Sequence, residues 1–163
     1  MSILLIHGPV RTGKTTKIQS ILENHPEVGG ILTPDVDNLR MIYSISDQSY
    51  FPFETDNETD VHVIGRFRFL KSAFVKGSNI VIRDFEHKKY ILLDEWGPLE
   101  ISGKGFYPYL NSLMKRAALL EKKWLLVVLR SAILNQFIEQ FGLPQGIINS
   151  NDFEGIHSIP GAY

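Results

Sequence analysis

Apolar and polar positions follow two different grammars along this chain. Ile3-Leu4-Leu5-Ile6 is wholly apolar and runs into Gly8-Pro9, the pattern of a short strand buried on both faces, as in a parallel sheet. Tyr90-Ile91-Leu92-Leu93 and Leu125-Leu126-Val127-Val128-Leu129 repeat it. Helical spacing lies between these runs. Residues 14–24 place Ile18, Ile21 and Leu22 on one side, with Pro26 beyond the end. Leu110, Leu113, Met114, Ala117 and Leu120 form a second stripe, and residues 132–141 a third helix, with Ser131 placed to cap it and Gly142 and Pro144 to stop it. Strands alternating with helices predict an α/β fold with a mainly parallel sheet.

Residues 29–69 read differently. Ile31-Leu32-Thr33, Met41 to Ser46, Tyr50 to Phe53 and Val61 to Ile64 are short runs separated by Pro, Asp, Asn and Gly. This predicts an antiparallel hairpin insertion, around residues 30–69, at one edge of the sheet. The acidic stretch from Glu54 to Asp60 reads as a solvated turn. In residues 70–86, Ile80-Val81-Ile82 has strand character, but Phe74, Gly77, Val81 and Phe85 share one helical face, which favours a helix.

Composition narrows the class. The chain has 163 residues, 44% hydrophobic and 21% charged, which fits a single globular domain over 1–163. Seventeen Lys and Arg against 18 Asp and Glu give a net charge of −1, so there is no strong nucleic-acid signal. Absence of cysteine excludes disulfides, thiolate nucleophiles and Cys-ligated metal. Five histidines, His7, His25, His62, His87 and His157, show no ligand spacing. The apolar run Trp124–Leu129 is far shorter than the ~20 residues that span a bilayer, and the first residues lack the basic start of a signal peptide. The expectation is a soluble, cytoplasmic protein with no membrane partner.

The segment Gly8-Pro9-Val10-Arg11-Thr12-Gly13-Lys14-Thr15 carries the chemistry. It is a full match to the phosphate loop: glycines let backbone N–H groups close on phosphate oxygens, Lys14 supplies charge to the β- and γ-phosphates, and the Thr15 hydroxyl is placed to ligate Mg²⁺. A strand precedes it and a helix comes after, so a helix N-terminus adds its partial positive charge. Gly8 to Thr16 are therefore the expected nucleotide-binding residues, with a nucleoside triphosphate, ATP or GTP, as partner. Asp94-Glu95 closes the second apolar strand, at the sheet end where ligands bind. Asp94 is expected to hold Mg²⁺, directly or through water, and Glu95 to orient or deprotonate an attacking water. Arg130, at the end of the third strand, is placed to stabilise transition-state charge or else to close the strand as a surface residue. For Arg11 two fates are equally open, over the phosphates or into solvent. The pairs Phe51/Phe53 and Phe67/Phe69 read as packing residues rather than base-stacking platforms.

Four stretches together resemble the THEP-type nucleoside-triphosphatases: the loop ending Gly13-Lys14-Thr15-Thr16; Gly30-Ile31-Leu32-Thr33-Pro34-Asp35; Ile64-Gly65-Arg66-Phe67; and Asp94-Glu95-Trp96-Gly97-Pro98-Leu99-Glu100. The resemblance covers roughly residues 2 to 140. It implies a three-layer phosphate-loop fold and Mg²⁺-dependent hydrolysis of nucleoside triphosphates to diphosphate and phosphate, slow and broad in base preference. It also implies catalytic roles for Lys14 and Glu95, a supporting role for Glu100 and a helix over 70–86. Val10-Arg11-Thr12 replaces the family's inner glycine, Leu99 stands for its Met, and Arg40 alone remains of a basic turn. A small-molecule or nucleotide kinase and a nucleotide-binding switch use the same loop and stay open. There is no Asn-Lys-x-Asp, which argues against a dedicated GTPase. Asn149 and Asn151, in the tail, are candidates for base contact.

Overall fold

Unbroken apolar strands cannot face water, and in the computed structural model they form the centre of a twisted sheet with helices on both faces. The structure describes residues 3–9, 12–22, 24–57, 59–117, 119 and 122–159. In chain order the elements are β1 (Ile3–Gly8), α1 (Lys14–Leu22), β2 (Val28–Leu32), β3 (Asp35–Val36), β4 (Leu39–Ser44), β5 (Ser49–Pro52), β6 (Val61–Ile64), β7 (Phe67–Leu70) and α2 (Lys71–His87). Then come β8 (Tyr90–Trp96), α3 (Pro98–Ile101), α4 (Tyr107–Ala117), β9 (Trp124–Arg130), a 3₁₀ turn (Ser131–Ile133), α5 (Leu134–Phe141) and β10 (Gly146–Asn149). The sheet order is β10-β1-β9-β8-β2-β4-β3, with β5 on β4. β10, β1, β9, β8 and β2 run parallel, and β4 pairs antiparallel with β2.

The two-residue period of the strands divides the core. Ile3, Leu5, Ile91, Leu93, Leu125 and Val127 pack with Phe74, Val81 and Phe85 of α2, Leu110 and Met114 of α4 and Phe137 of α5. Leu4, Ile6, Tyr90, Leu92, Leu126 and Val128 pack with Ile18 and Leu22 of α1, together with Phe153 and Ile159. Each such buried side chain contributes ~1.5–3 kcal/mol. This alternation positions the site, because it puts Asp94 on the α1 face with Tyr90 and Leu92.

The predicted three-layer α/β fold is the one observed, and residues 70–86 are helical. Three expectations need correction. The stretch 30–69 is not all insertion: Val28–Leu32 is a strand of the parallel sheet, paired with β8. The hairpins begin after it, because Gly29-Gly30 lets β2 lie close beneath α2. Ser131 does not cap α5; it forms a 3₁₀ turn with no side-chain cap bond, and its hydroxyl pairs with His7 Nδ1 at 3.0 Å. Glu54 is no simple solvated turn residue, since it bridges to Phe69 and its carboxylate accepts the Arg40 N–H at 3.1 Å. The first helix is seen from Lys14 to Leu22, and Leu120 of the second stripe lies outside the described residues. Phe51 and Phe53 are core residues, 7% exposed each, as the packing reading expects. No helix among the described residues is long and apolar enough to cross a membrane.

Gly30 has φ +99°, and a Cβ there would meet the Leu92 carbonyl and stand 2.8 Å from Leu92 N. Its N–H donates to the buried Asp84 carboxylate at 2.8 Å. Gly30→Ala therefore combines left-handed strain with a backbone clash. It is expected to cost about 3 kcal/mol or more in urea unfolding, and a loss under 1 kcal/mol would refute the assigned packing.

Candidate active site

The phosphate loop leaves β1 at Gly8 and enters α1 at Lys14, so it meets the sheet at the carboxyl ends of its parallel strands. Gly13 has φ +71° with nothing within 4 Å of a would-be Cβ, so glycine is required there for its backbone, not for space. At Gly8 the neighbours are side-chain ends. A Cβ would run into the Ser150 hydroxyl and lie 3.0 Å from Lys14 Cδ. The Thr12 hydroxyl donates to Pro9 O at 3.0 Å, and the Lys14 ammonium also donates to Pro9 O. Thr16 is exposed on the first turn of α1. Val10 and Arg11 lie outside the described residues.

Asp94 and Glu95 lie side by side but serve different faces. Asp94 is 1% exposed. Its Oδ2 accepts from the Thr15 hydroxyl at 2.8 Å, the Thr33 N–H at 3.1 Å and the Thr33 hydroxyl at 3.3 Å. Next to it the ladder slips: Asp94 pairs with Val128 but Trp96 with Leu129. Glu95 is the extra residue of this bulge, the device by which sheets re-aim a side chain. It points to a cluster of arginines. Arg130 Nε lies 2.7 Å from Glu95 Oε1, and Arg40 Nη1 lies 3.5 Å from Oε2. Arg40 is shared with Asp35, at 2.7 Å. Such half-exposed pairs contribute only ~0.2–1 kcal/mol each, so their value is in geometry.

Burial shifts the ionisations here. It pushes Asp94 up to about 6, helped by the neighbouring Glu95 charge and opposed by the donors from Thr33 and Thr15. Burial also draws the Lys14 ammonium below its ordinary value, against the pull of Glu95 and Asp94. Arg40 is held firmly charged, because hydrogen bonding and charge from Asp35 and Glu95 outweigh burial. A proton or a cation is therefore favoured at Asp94. Hydroxyl and carboxylate are the hard oxygen donors that Mg²⁺ takes, and here they already meet in a 2.8 Å hydrogen bond. Among the described residues no group of three or more His, Asp or Glu side chains could hold a metal, so an ion at Thr15 and Asp94 would complete its shell with phosphate and water oxygens.

The structure brings Gly8, Gly13, Lys14, Thr15, Asp94, Glu95 and Arg130 to one end of the sheet. It adds Thr33, Arg40 and Lys17. Thr33 could have been found, since it lies in the Thr33-Pro34-Asp35 stretch that carries the family resemblance. Lys17 donates to the carbonyls of Ser150, at 2.9 Å, and Asn151, at 2.7 Å. These bonds and Ser150 N–H to His7 O, at 2.8 Å, set the tail beside the phosphate loop. No local pattern announces such a contact across the chain.

The profile of a protein family described as NTPase matches residues 3–148. The fold is similar to the crystal structure of THEP1 from the hyperthermophile Aquifex aeolicus, with TM-score 0.67 and 17% identity, covering 90% of this chain and 87% of that one. It is also similar to the solution structure of a human cancer-related nucleoside triphosphatase, with TM-score 0.64 and 14% identity, covering 91% and 88%. No curated protein sequence matches the chain.

Glu100 lies in α3, just after the end of β8. It is 3% exposed and accepts the Gly97 N–H at 2.9 Å and the Phe106 N–H at 3.0 Å, tying α3 to the start of α4. Burial pushes its carboxyl up to about 7 from an ordinary 4.5. Between those pH values the folded chain holds a proton that the unfolded chain has released, so stability from this group falls as pH rises through the window. Glu100→Gln has no such proton. Relative to the variant, the wild type is expected to lose on the order of 3 kcal/mol between pH 4.5 and pH 8, read from denaturant midpoints, and a constant difference would count against the shift.

Proposed function

The chain belongs to the NTPase family, and on that premise we propose that it hydrolyses nucleoside triphosphates to the diphosphate and phosphate, using Mg²⁺, slowly and with little base discrimination. The observation that carries this reading is the split at the end of β8. Asp94 turns to the Thr15 hydroxyl at 2.8 Å while Glu95 turns out of the ladder towards Arg130 at 2.7 Å. One carboxylate can thus serve a metal and the other a proton, side by side.

In this mechanism the loop N–H groups from Gly8 to Thr16 and the N-terminus of α1 hold the triphosphate oxygens. Lys14 leaves the Pro9 carbonyl for the β- and γ-phosphates. Thr15 and Asp94 would hold Mg²⁺, which would supply charge neutralisation to the phosphates. Glu95 takes a proton from water as the water oxygen bonds to the γ-phosphorus; the bond to the bridging oxygen breaks and the diphosphate leaves. The γ-phosphate oxygens attract Arg130, which lets its guanidinium stabilise the charge that builds there. That move also releases Glu95 from its ion pair. The need to break this pair first supports slow turnover, and the absence of an Asn-Lys-x-Asp sequence argues against a dedicated GTPase.

The test is phosphate release from a panel of nucleoside triphosphates, with and without Mg²⁺. The wild type is expected to turn over only with the metal, and Glu95→Gln to bind nucleotide yet release at least ~10-fold less phosphate. Arg130→Ala is expected to lower kcat ~10- to 100-fold, with a smaller change in KM. A wild type that binds Mg-nucleotide and releases no phosphate defeats the hydrolase reading.

A further inference from the structure

A cavity of ≈ 420 Å³ opens on the far side of Glu95, within the ~300–1,000 Å³ range of small-molecule sites. Glu95, Thr33 and Arg130 line it and also belong to the phosphate site. Arg130, paired with Gly8 of the loop, forms its near wall, and the residues beyond β2 form its far wall. In the order β1-β9-β8-β2, the phosphate loop after β1 stands about 14 Å, three strand spacings, from the wall beyond β2. On the phosphate-site reading the γ-phosphate would lie at Asp94 and Glu95, which leaves the far wall to a second molecule. Hydrolysis by Glu95 needs one water there, not a room of this size.

Aromatic rings line the room. Phe53 lies 4.6 Å from Phe69 and 4.9 Å from Phe74, and Phe74 lies 4.8 Å from Phe106, between ring centres. These rings form the floor and belong to or pack on the core. Phe67 is only half-buried, with the exposed Arg66 guanidinium 5.0 Å from its ring centre. Both lie on the β6–β7 hairpin, a separate two-stranded sheet. Such walls suit a planar ring. Charge refines the choice. Asp35, Glu54 and Glu95 all line the cavity, and Arg40 and Arg130 are engaged with these carboxylates. Arg66 also lines the cavity, so three guanidiniums balance these three carboxylates, and a neutral hydroxyl can donate to Glu95.

We propose that this cavity seats a phosphoryl acceptor, a ring-bearing alcohol of nucleoside size, so that the γ-phosphate is passed to its hydroxyl as well as to water. The inference rests on the phosphate-site reading above. The acceptor oxygen bonds to the γ-phosphorus, the bond to the β–γ bridging oxygen breaks, and the nucleoside diphosphate leaves. The hydroxyl proton passes to the Glu95 carboxylate, as the water proton does in hydrolysis. The ring packs against the edges of Phe67 and Phe69, whose own rings stack with centres 6.3 Å apart, with Arg66 at the rim.

The full chain is incubated with Mg²⁺ and triphosphates labelled at the γ-phosphate, with nucleosides or nucleoside monophosphates added one at a time, and labelled products are separated. The expected result is a labelled nucleoside monophosphate from at least one nucleoside, with a matching fall in free phosphate. Phe67→Ala and the exposed Arg66→Ala are each expected to lower transfer at least fivefold while changing phosphate release to water less than twofold, with melting temperature checking that each is folded. Free phosphate without any labelled ester overturns the acceptor site and leaves the hydrolase standing. Label on monophosphates alone, giving diphosphates, overturns the alcohol assignment. No release and no transfer removes the phosphate-site reading and this inference with it. Equal loss of transfer and release in both variants overturns the placement of the ring.

Discussion

One oxygen atom holds the working end of this molecule together. Oδ2 of Asp94 receives the Thr15 hydroxyl and both donors of Thr33, so it joins the phosphate loop, the end of β8 and the chain leaving β2. Buried carboxylates are costly unless their lone pairs are satisfied. Here three short polar groups from two other segments meet that need and fix their spacing in doing so. The glycines of the loop, the register of the parallel strands and the α1 face of the core all serve to bring these groups to one place.

That placement divides charge between two neighbouring acids. The period of β8 sends Asp94 under the loop, and a single extra residue sends Glu95 to the opposite side. Two carboxylates adjacent in sequence thereby gain different partners: hydroxyls and an N–H for one, two guanidiniums for the other. Environments this different are how neighbouring acids take different tasks. Arg40 is held in turn by Asp35 and, through its backbone, by Glu54, so the hairpins beyond β2 feed directly into the electrostatics at the strand ends.

Much of this is legible in the sequence, for physical reasons. Strands buried on both faces must be apolar throughout, and β1, β8 and β9 announce themselves that way. The phosphate loop is legible because its backbone path demands particular residues at particular steps. β2 escapes the pattern because Gly29-Gly30 hides a buried strand behind turn residues; its glycines answer to Asp84 and Leu92, which lie far along the chain. The bulge at Glu95 has no sequence signal, nor does the tether from Lys17 to the Ser150 and Asn151 carbonyls, since both are made by tertiary fit. Ser131 reads as a cap because local rules favour it there, but a strand neighbour, His7, offers its hydroxyl a partner.

The β6–β7 hairpin stands apart from the main sheet, joined to it through the Glu54–Phe69 bridge and the bonds from Thr55 N–H to Arg68 O and Leu70 N–H to Phe53 O. Two-stranded hairpins are only marginally stable by themselves, so this segment draws its order from aromatic contact with the floor of the cavity. It can therefore change length or side chains without disturbing the register of β1, β8 and β9. The sheet and the hairpin are thus separate handles: changes in the hairpin alter the lining around Phe67 and Arg66 while the strand register at Asp94 stays as it is.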